Sequence, residues 1–201
     1  MKEEIYKEIY NIFKNSTGYA HTRNITKSGI HNIYLNELLE KGKIERIKRG
    51  LYRWVDMIDT AGSSLPDVAM AIPNGVICLL SALAYHNLTT HKPWEVSVAV
   101  NRKSRIKLPD YPPVKLYYFS SKIFDAGIEK IKFGRLEVRI YNKEKTICDC
   151  IKHRKKIGKD IIKEMLQVYI KNHNRNLHLL MKYADICGVT RQIETYIEVL
   201  L

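Results

Sequence analysis

Ser81 and His86, in the run SALAYHN, are the residue types of a hydroxyl nucleophile and its general base. Such a pair works only when the imidazole reaches the hydroxyl, and residues five apart on a helix lie about 140° apart around its axis. No nearby glycine turn suggests an oxyanion site, so a packed serine and a partly buried histidine are expected. Glu137, Glu144 and Asp149, with Lys145 among them, are the types found in a metal-dependent nuclease, whose carboxylates hold an ion at a strand end. Asn142 supports a plainer reading, because Asn caps a helix and an acid in the first turn faces the positive end of the helix dipole. The pairs His86 with His91 and His173 with His178 lack the i, i+4 spacing and the carboxylate or cysteine company of a zinc site. Neither a metal nor a cofactor is expected, and the chain reads as non-enzymatic. Cys78, Cys148, Cys150 and Cys187 form no CxxC pair, and Cys148 and Cys150 point apart on a helix, so buried free thiols are expected.

Charge points to a partner more strongly than any of these sets points to a reaction. A formal net charge of +13 over 201 residues favours a polyanion, nucleic acid ahead of an anionic membrane surface. Its distribution matters more than its size. Residues 1–60 hold 11 Lys and Arg against 8 Asp and Glu, and the hairpin sequence KGKIERIKRGLYRW carries that excess. Residues 92–160 hold 18 against 8, concentrated in NRKSRIK and KHRKK, so a second basic surface needs its own account. The acidic start MKEEIYKEIY lacks the apolar run of a secretory signal, and the longest apolar stretch is interrupted at Pro73-Asn74-Gly75. A cytoplasmic protein with no membrane partner is the expectation.

The elements that must position these charges follow from periodicity. Ile5, Ile9, Ile12 and Phe13 form one helical stripe over residues 2–15. HTRNITKSG predicts a short helix capped by Thr22, with Ile25 inward and Gly29 just past its end. His31 or Asn32 then caps a third helix that buries Leu35, Leu38 and Leu39 and presents Asn32, Ile33, Asn36 and Glu37, until Gly42 stops it. Ile44–Ile47 and Leu51–Trp54 predict a hairpin with Gly50 in its turn. Helix, short helix, tight turn, helix and basic hairpin is the order of a winged helix-turn-helix, over residues 1–58.

The Gly, Ser and Pro of residues 59–66 predict a linker. Residues 67–201 predict a larger α+β domain with a small sheet and a helical C-terminal end. Two apolar helices are expected over 68–72 and 75–88, and strands in WEVSVAV, VKLYYFS and LEVRIYN. Helices are expected over 144–153, 160–172, 177–187 and 190–201.

A helix-turn-helix ending in GKIERIKRGLYRW, followed by PNGVICLLSALAYHNL and KEKTICDCIKHRKKIG before a helical tail, resembles the AbiEi antitoxins of bacterial abortive-infection systems. The similarity runs in order along nearly the whole chain. The resemblance implies a winged domain that binds inverted repeats of operator DNA and represses its own transcription. It also implies a C-terminal domain that opposes a nucleotidyltransferase toxin in a type IV phage-defence system, without a stable complex. The reading helix falls on residues 32–41 and the wing on 44–54. Family members often begin that helix with basic residues, whereas this chain has His31, Asn32 and Ile33.

For DNA, the expected contacts are Asn32, Ile33 and Asn36 at base edges, Ser28 and His31 near the start of the helix, and Lys48, Arg49 and Arg53 on phosphates. Arg102, Lys103, Arg105, Lys107, Lys152, Arg154, Lys155 and Lys156 make up the second basic surface. With Tyr111, Tyr117, Tyr118 and Phe119 near it in sequence, that surface suits nucleic acid as well. The alternatives are a DNA-targeted nuclease and an antitoxin that acts by direct toxin contact.

Overall fold

A computed structural model describes residues 1–57 and 63–200. The chain begins with helix α1 (Glu3–Asn15), strand β1 (Tyr19–His21), helices α2 (Thr22–Lys27) and α3 (Ile33–Glu40), and strands β2 (Ile44–Lys48) and β3 (Leu51–Trp54). The strands form one sheet in the order β1-β3-β2, which is the sheet of a winged helix-turn-helix. The stripe expected on α1 buries Ile9 and Phe13, and Tyr6, Tyr10 and Phe13 meet Trp54 edge-on at 5.2–5.7 Å between ring centres. Each such pair contributes about 0.5–1.5 kcal/mol beyond the area it buries, so Trp54 ties the wing's last strand to the first helix. Gly29 and Gly42 close their helices at φ 78° and 63°, as the turn chemistry requires.

One local expectation changes, and another is resolved between its two alternatives. Thr22 does not cap α2; it is the first helical residue, and its amide donates to the Gly50 carbonyl at 3.0 Å. At α3 the N-cap position is Asn32, but its side chain makes no capping bond; His31 Nδ1 instead takes the Ile33 amide at 3.3 Å.

Of the expected linker, residues 59–62 lie outside the described residues, and Leu65 and Pro66 open helix α4 (Leu65–Ala71). The compact units are drawn differently from the expected domains. One comprises Met1–Pro73, Ile106–Val114 and Lys132–Val138; the other comprises Asn74–Arg105, Lys115–Ile131 and Arg139–Leu201. α4 is held in the first unit by Asp67, which is 2% exposed, accepts the Tyr19 hydroxyl at 2.7 Å and pairs with Arg53. Residues 106–114 join the same unit through β2, where the Asp110 amide donates to the Ile47 carbonyl at 3.0 Å and Asp110 pairs with Arg46.

The rest of the chain forms β4 (Val76–Ile77), α5 (Leu79–Tyr85), β5 (Val96–Asn101), β6 (Val114–Phe119), α6 (Ser121–Phe124), β7 (Ile128–Phe133) and β8 (Leu136–Tyr141). The helices α7 (Lys143–Lys152), α8 (Arg154–Ile157), α9 (Lys159–Lys171), α10 (Leu177–Cys187) and α11 (Thr190–Leu200) complete it. The five strands run in the order β6-β5-β4-β8-β7, with β4 antiparallel to β5 and parallel to β8. The helix expected over 75–88 is therefore a short strand and a shorter helix. Val76 and Ile77 are drawn into the sheet because ladders wait on both sides of them. β7 is a strand beyond the three expected. The fold is α+β, a winged helix-turn-helix followed by a larger α+β domain with a small sheet and a helical end.

Helix α7 is the centre of the second unit, buried from Glu144 to Ile151. Asn142 caps it, its Oδ1 accepting the Lys145 amide at 2.9 Å, and Glu144 lies in the first turn as expected. Gly127 is required beside it: φ is 74°, and a Cβ there would come within 2.5 Å of the Lys145 Cβ. All four cysteines are free and buried, and burial pushes each thiol up, Cys187 to about 12.

Candidate nucleic-acid interface

On the first unit a groove of about 740 Å³ opens between the helix-turn-helix and the wing. Thr22 and Arg23 from α2, Asn32 and Asn36 from the start of α3, and Arg49, Gly50 and Tyr52 from the hairpin line it, with His21 and Leu35. No lining residue is a carboxylate. The hairpin tip is held over the groove because the Gly50 carbonyl accepts the Thr22 amide and lies 3.2 Å from His21 Nδ1. Gly50 itself sits at φ 78°, where any L side chain would be strained. A ladder irregularity between Arg46 and Lys48 bends β2 just before this tip.

The expected DNA contacts separate into two sets. Asn32, Asn36 and Arg49 are exposed and share the groove. Ser28, His31 and Ile33 are exposed beside the start of α3, Ile33 at 55%, but do not line it. Lys48 and Arg53 are turned to partners within the unit. Lys48 donates to the Ala71 carbonyl, and burial lowers its pKa. Arg53 pairs with Asp67 at 2.7 Å and with Glu45, its side chain 19% exposed and its Nε buried without a partner. The physical reason is alternation along β3. Arg53 points toward α4, where burial raises the pKa of the Asp67 carboxyl and the Tyr19 hydroxyl and Arg53 offset part of that rise.

Arg23 and Tyr52 line the same groove and were not among the expected contacts. Their signal is tertiary: Arg23 faces the wing only because the hairpin turn is bonded to the residue before it.

In the second unit the basic runs are unevenly free. Arg102, Lys103 and Arg105 are exposed after β5, while Lys107 is exposed in the segment that belongs to the first unit. Lys152, Lys155 and Lys156 are exposed, but Lys152 reaches the Cys187 carbonyl at 2.7 Å, and the half-buried Arg154 reaches the Ile151 carbonyl at 3.2 Å. His153 stacks on Phe119, and burial lowers its pKa. Of the aromatics near NRKSRIK, Tyr117 and Phe119 are buried, whereas Tyr111 and Tyr118 are exposed.

The residues considered for catalysis are placed apart or closed off. Ser81 Oγ accepts the Ser97 amide at 2.9 Å, and His86 Nε2 lies 2.7 Å from the Tyr141 carbonyl. Lys145 Nζ donates to both oxygens of Asp149 at 2.8 and 2.6 Å, with neither side chain exposed, and lies 4.1 Å from the centre of the Tyr141 ring. Glu144 accepts the Tyr169 hydroxyl at 3.0 Å, and Glu137 is exposed on β8. Among the described residues no group of three His, Cys, Asp or Glu is placed to hold a metal. Among those residues, too, no helix is long and apolar enough to cross a membrane.

Comparison with known proteins adds two findings. Over the whole fold the chain is similar to the crystal structure of the RV2827C protein from Mycobacterium tuberculosis, with a TM-score of 0.56 and 10% identity over 96% of this chain and 80% of that one. No curated protein sequence matches. Residues 7–55 match the family described as "Transcriptional regulator, AbiEi antitoxin". The matched segment runs from α1 through the wing, and it contains every residue that lines the groove. The winged module of this chain, residues 7–55 of 201, is thus similar to that of the AbiEi antitoxin family of transcriptional regulators.

Proposed function

We propose that this protein is a cytoplasmic, non-enzymatic autorepressor and the antitoxin of a type IV abortive-infection system. It binds inverted repeats of its own operator through the winged groove and opposes a nucleotidyltransferase toxin without a stable complex. The observation that carries the reading is the acid-free groove, which sets two amides of α3 against two arginines from α2 and the wing. Arg23 and Arg49 bind phosphates of the duplex backbone, while Asn32 and Asn36 present the bidentate amides that favour adenine edges. Ser28, His31 and Ile33 flank that contact. On the second unit, Arg102, Lys103 and Arg105 with Lys155 and Lys156 add a nucleic-acid contact outside the winged module.

The test is anisotropy titration of the full-length protein against DNA from upstream of its own reading frame, across a series of salt concentrations. Each phosphate contact steepens the dependence of log K on log salt by about 0.9. A shallow slope, or equal affinity for a scrambled duplex, refutes operator recognition. Co-expression with the adjacent nucleotidyltransferase tests the antitoxin role: growth is restored, and the two proteins do not co-purify.

A further inference from the structure

Trp94 is 78% exposed, more than any other large apolar side chain described, and its surroundings hold it there. On one side Glu164 of α9 accepts the Thr89 hydroxyl and the Thr90 amide, both at 2.7 Å, and the His91 amide donates to Thr89 Oγ1 at 3.1 Å. On the other side Glu95 pairs with Lys115 at 3.0 Å, and its carbonyl accepts Ser81 Oγ at 3.5 Å. Pro93 fixes φ immediately before the indole. The loop is thus pinned at both ends and presents a flat apolar ring to water. That arrangement sacrifices burial of a large side chain without gaining disorder.

The charge beside it is one-sided. Lys92 and His91 are exposed, while both nearby carboxylates, Glu95 and Glu164, are already bonded. We propose that Trp94 is a stacking platform for an unpaired base of single-stranded nucleic acid, with Lys92 and His91 on the adjoining phosphate. Every base has a π-face for an indole to cover, and duplex DNA does not offer one along its side. The proposal rests on the reading that the second unit contacts nucleic acid and names the form of it. It is independent of the operator contact.

Intrinsic fluorescence of the full chain tests it. Trp54 is 2% exposed and enclosed by three aromatic rings, so Trp94 supplies the response to added ligand. Short oligoadenylate and oligouridylate RNA, the matching DNA strands, a duplex of the same length and poly-glutamate are titrated separately. Quenching by RNA strands, or by both RNA and DNA strands, with little from the duplex, is the expected result. By anisotropy Trp94→Ala weakens single-strand binding about tenfold, and Trp94→Phe restores most of it. Equal quenching by the duplex, quenching by poly-glutamate alone, or unchanged affinity of Trp94→Ala overturns the proposal. Arg49→Ala, which weakens operator binding, leaves the quenching intact. Trp94→Ala leaves operator binding intact, so failure of one reading is visible apart from the other.

Discussion

Arg49 at the tip of the wing and Lys145 in the middle of α7 show the two uses to which this chain puts its excess of basic residues. Arg49 is exposed over a groove with no carboxylate in its lining. Lys145 is wholly buried, bonded to both oxygens of Asp149 and set against Tyr141 and Phe119. A cation without an internal partner keeps its counterions until phosphate displaces them; a cation with one is part of the core. Arg53 lies between the two cases, in a basic hairpin by sequence and in a part-buried ion pair by structure. Formal charge therefore says little about where nucleic acid binds until each cation's partner is known.

Breaking the buried pair has the largest expected effect. Asp149→Ala leaves an uncompensated ammonium in the core and costs about 3–5 kcal/mol in urea unfolding, whereas Lys145→Met combined with Asp149→Leu loses much less. A cost below about 1 kcal/mol for the single change would mean that water reaches Lys145. Next comes the pair under the wing. Asp67→Ala removes the acceptor of Tyr19 and of Arg53 and is expected to lower stability by about 1–3 kcal/mol. The groove is tested by sequence preference: Asn36→Ala loses about 1–3 kcal/mol of discrimination between the operator and a single-base variant, read by competition.

Smaller still are the salt slopes. Arg23→Ala and Arg49→Ala each lower the slope by about 0.9, and Arg53→Ala leaves it unchanged while lowering stability. If Arg53→Ala lowered the slope as Arg49→Ala does, the contrast between paired and free cations would fail. At the bottom of the scale is an expected absence of reaction. With its thiol pushed up to about 12 by burial, Cys187 stays unlabelled by a disulfide reagent at pH 8 until the chain is unfolded.

Much of the winged module was legible because its signals are local. The α1 stripe, the glycines at 29, 42 and 50, and the two wing strands each depend on residues a few positions apart. The Asn142 cap and the buried cysteines were legible for the same reason. Val76 and Ile77 were not, since a two-residue strand is defined by partners at Val98, Ala99 and Ile140. Ile128–Phe133 does alternate, with Lys130 and Lys132 outward, but its cations obscured a strand that only the edge of the sheet makes stable.

The division within the candidate site is sharper. Sequence by itself determined the third helix with Asn32 and Asn36, the hairpin with Arg49 at its tip, and the excess of positive charge, because periodicity and turn chemistry act over a few residues. Only the tertiary structure decided that Arg23 joins the groove, that Arg53 and Lys48 leave it, and that Lys145 belongs to the core. Each of those outcomes turns on a partner distant in sequence, Gly50, Asp67 or Ala71, or on burial of the element that carries the charge. The strength of a charge interaction depends on separation and surroundings, which composition does not contain.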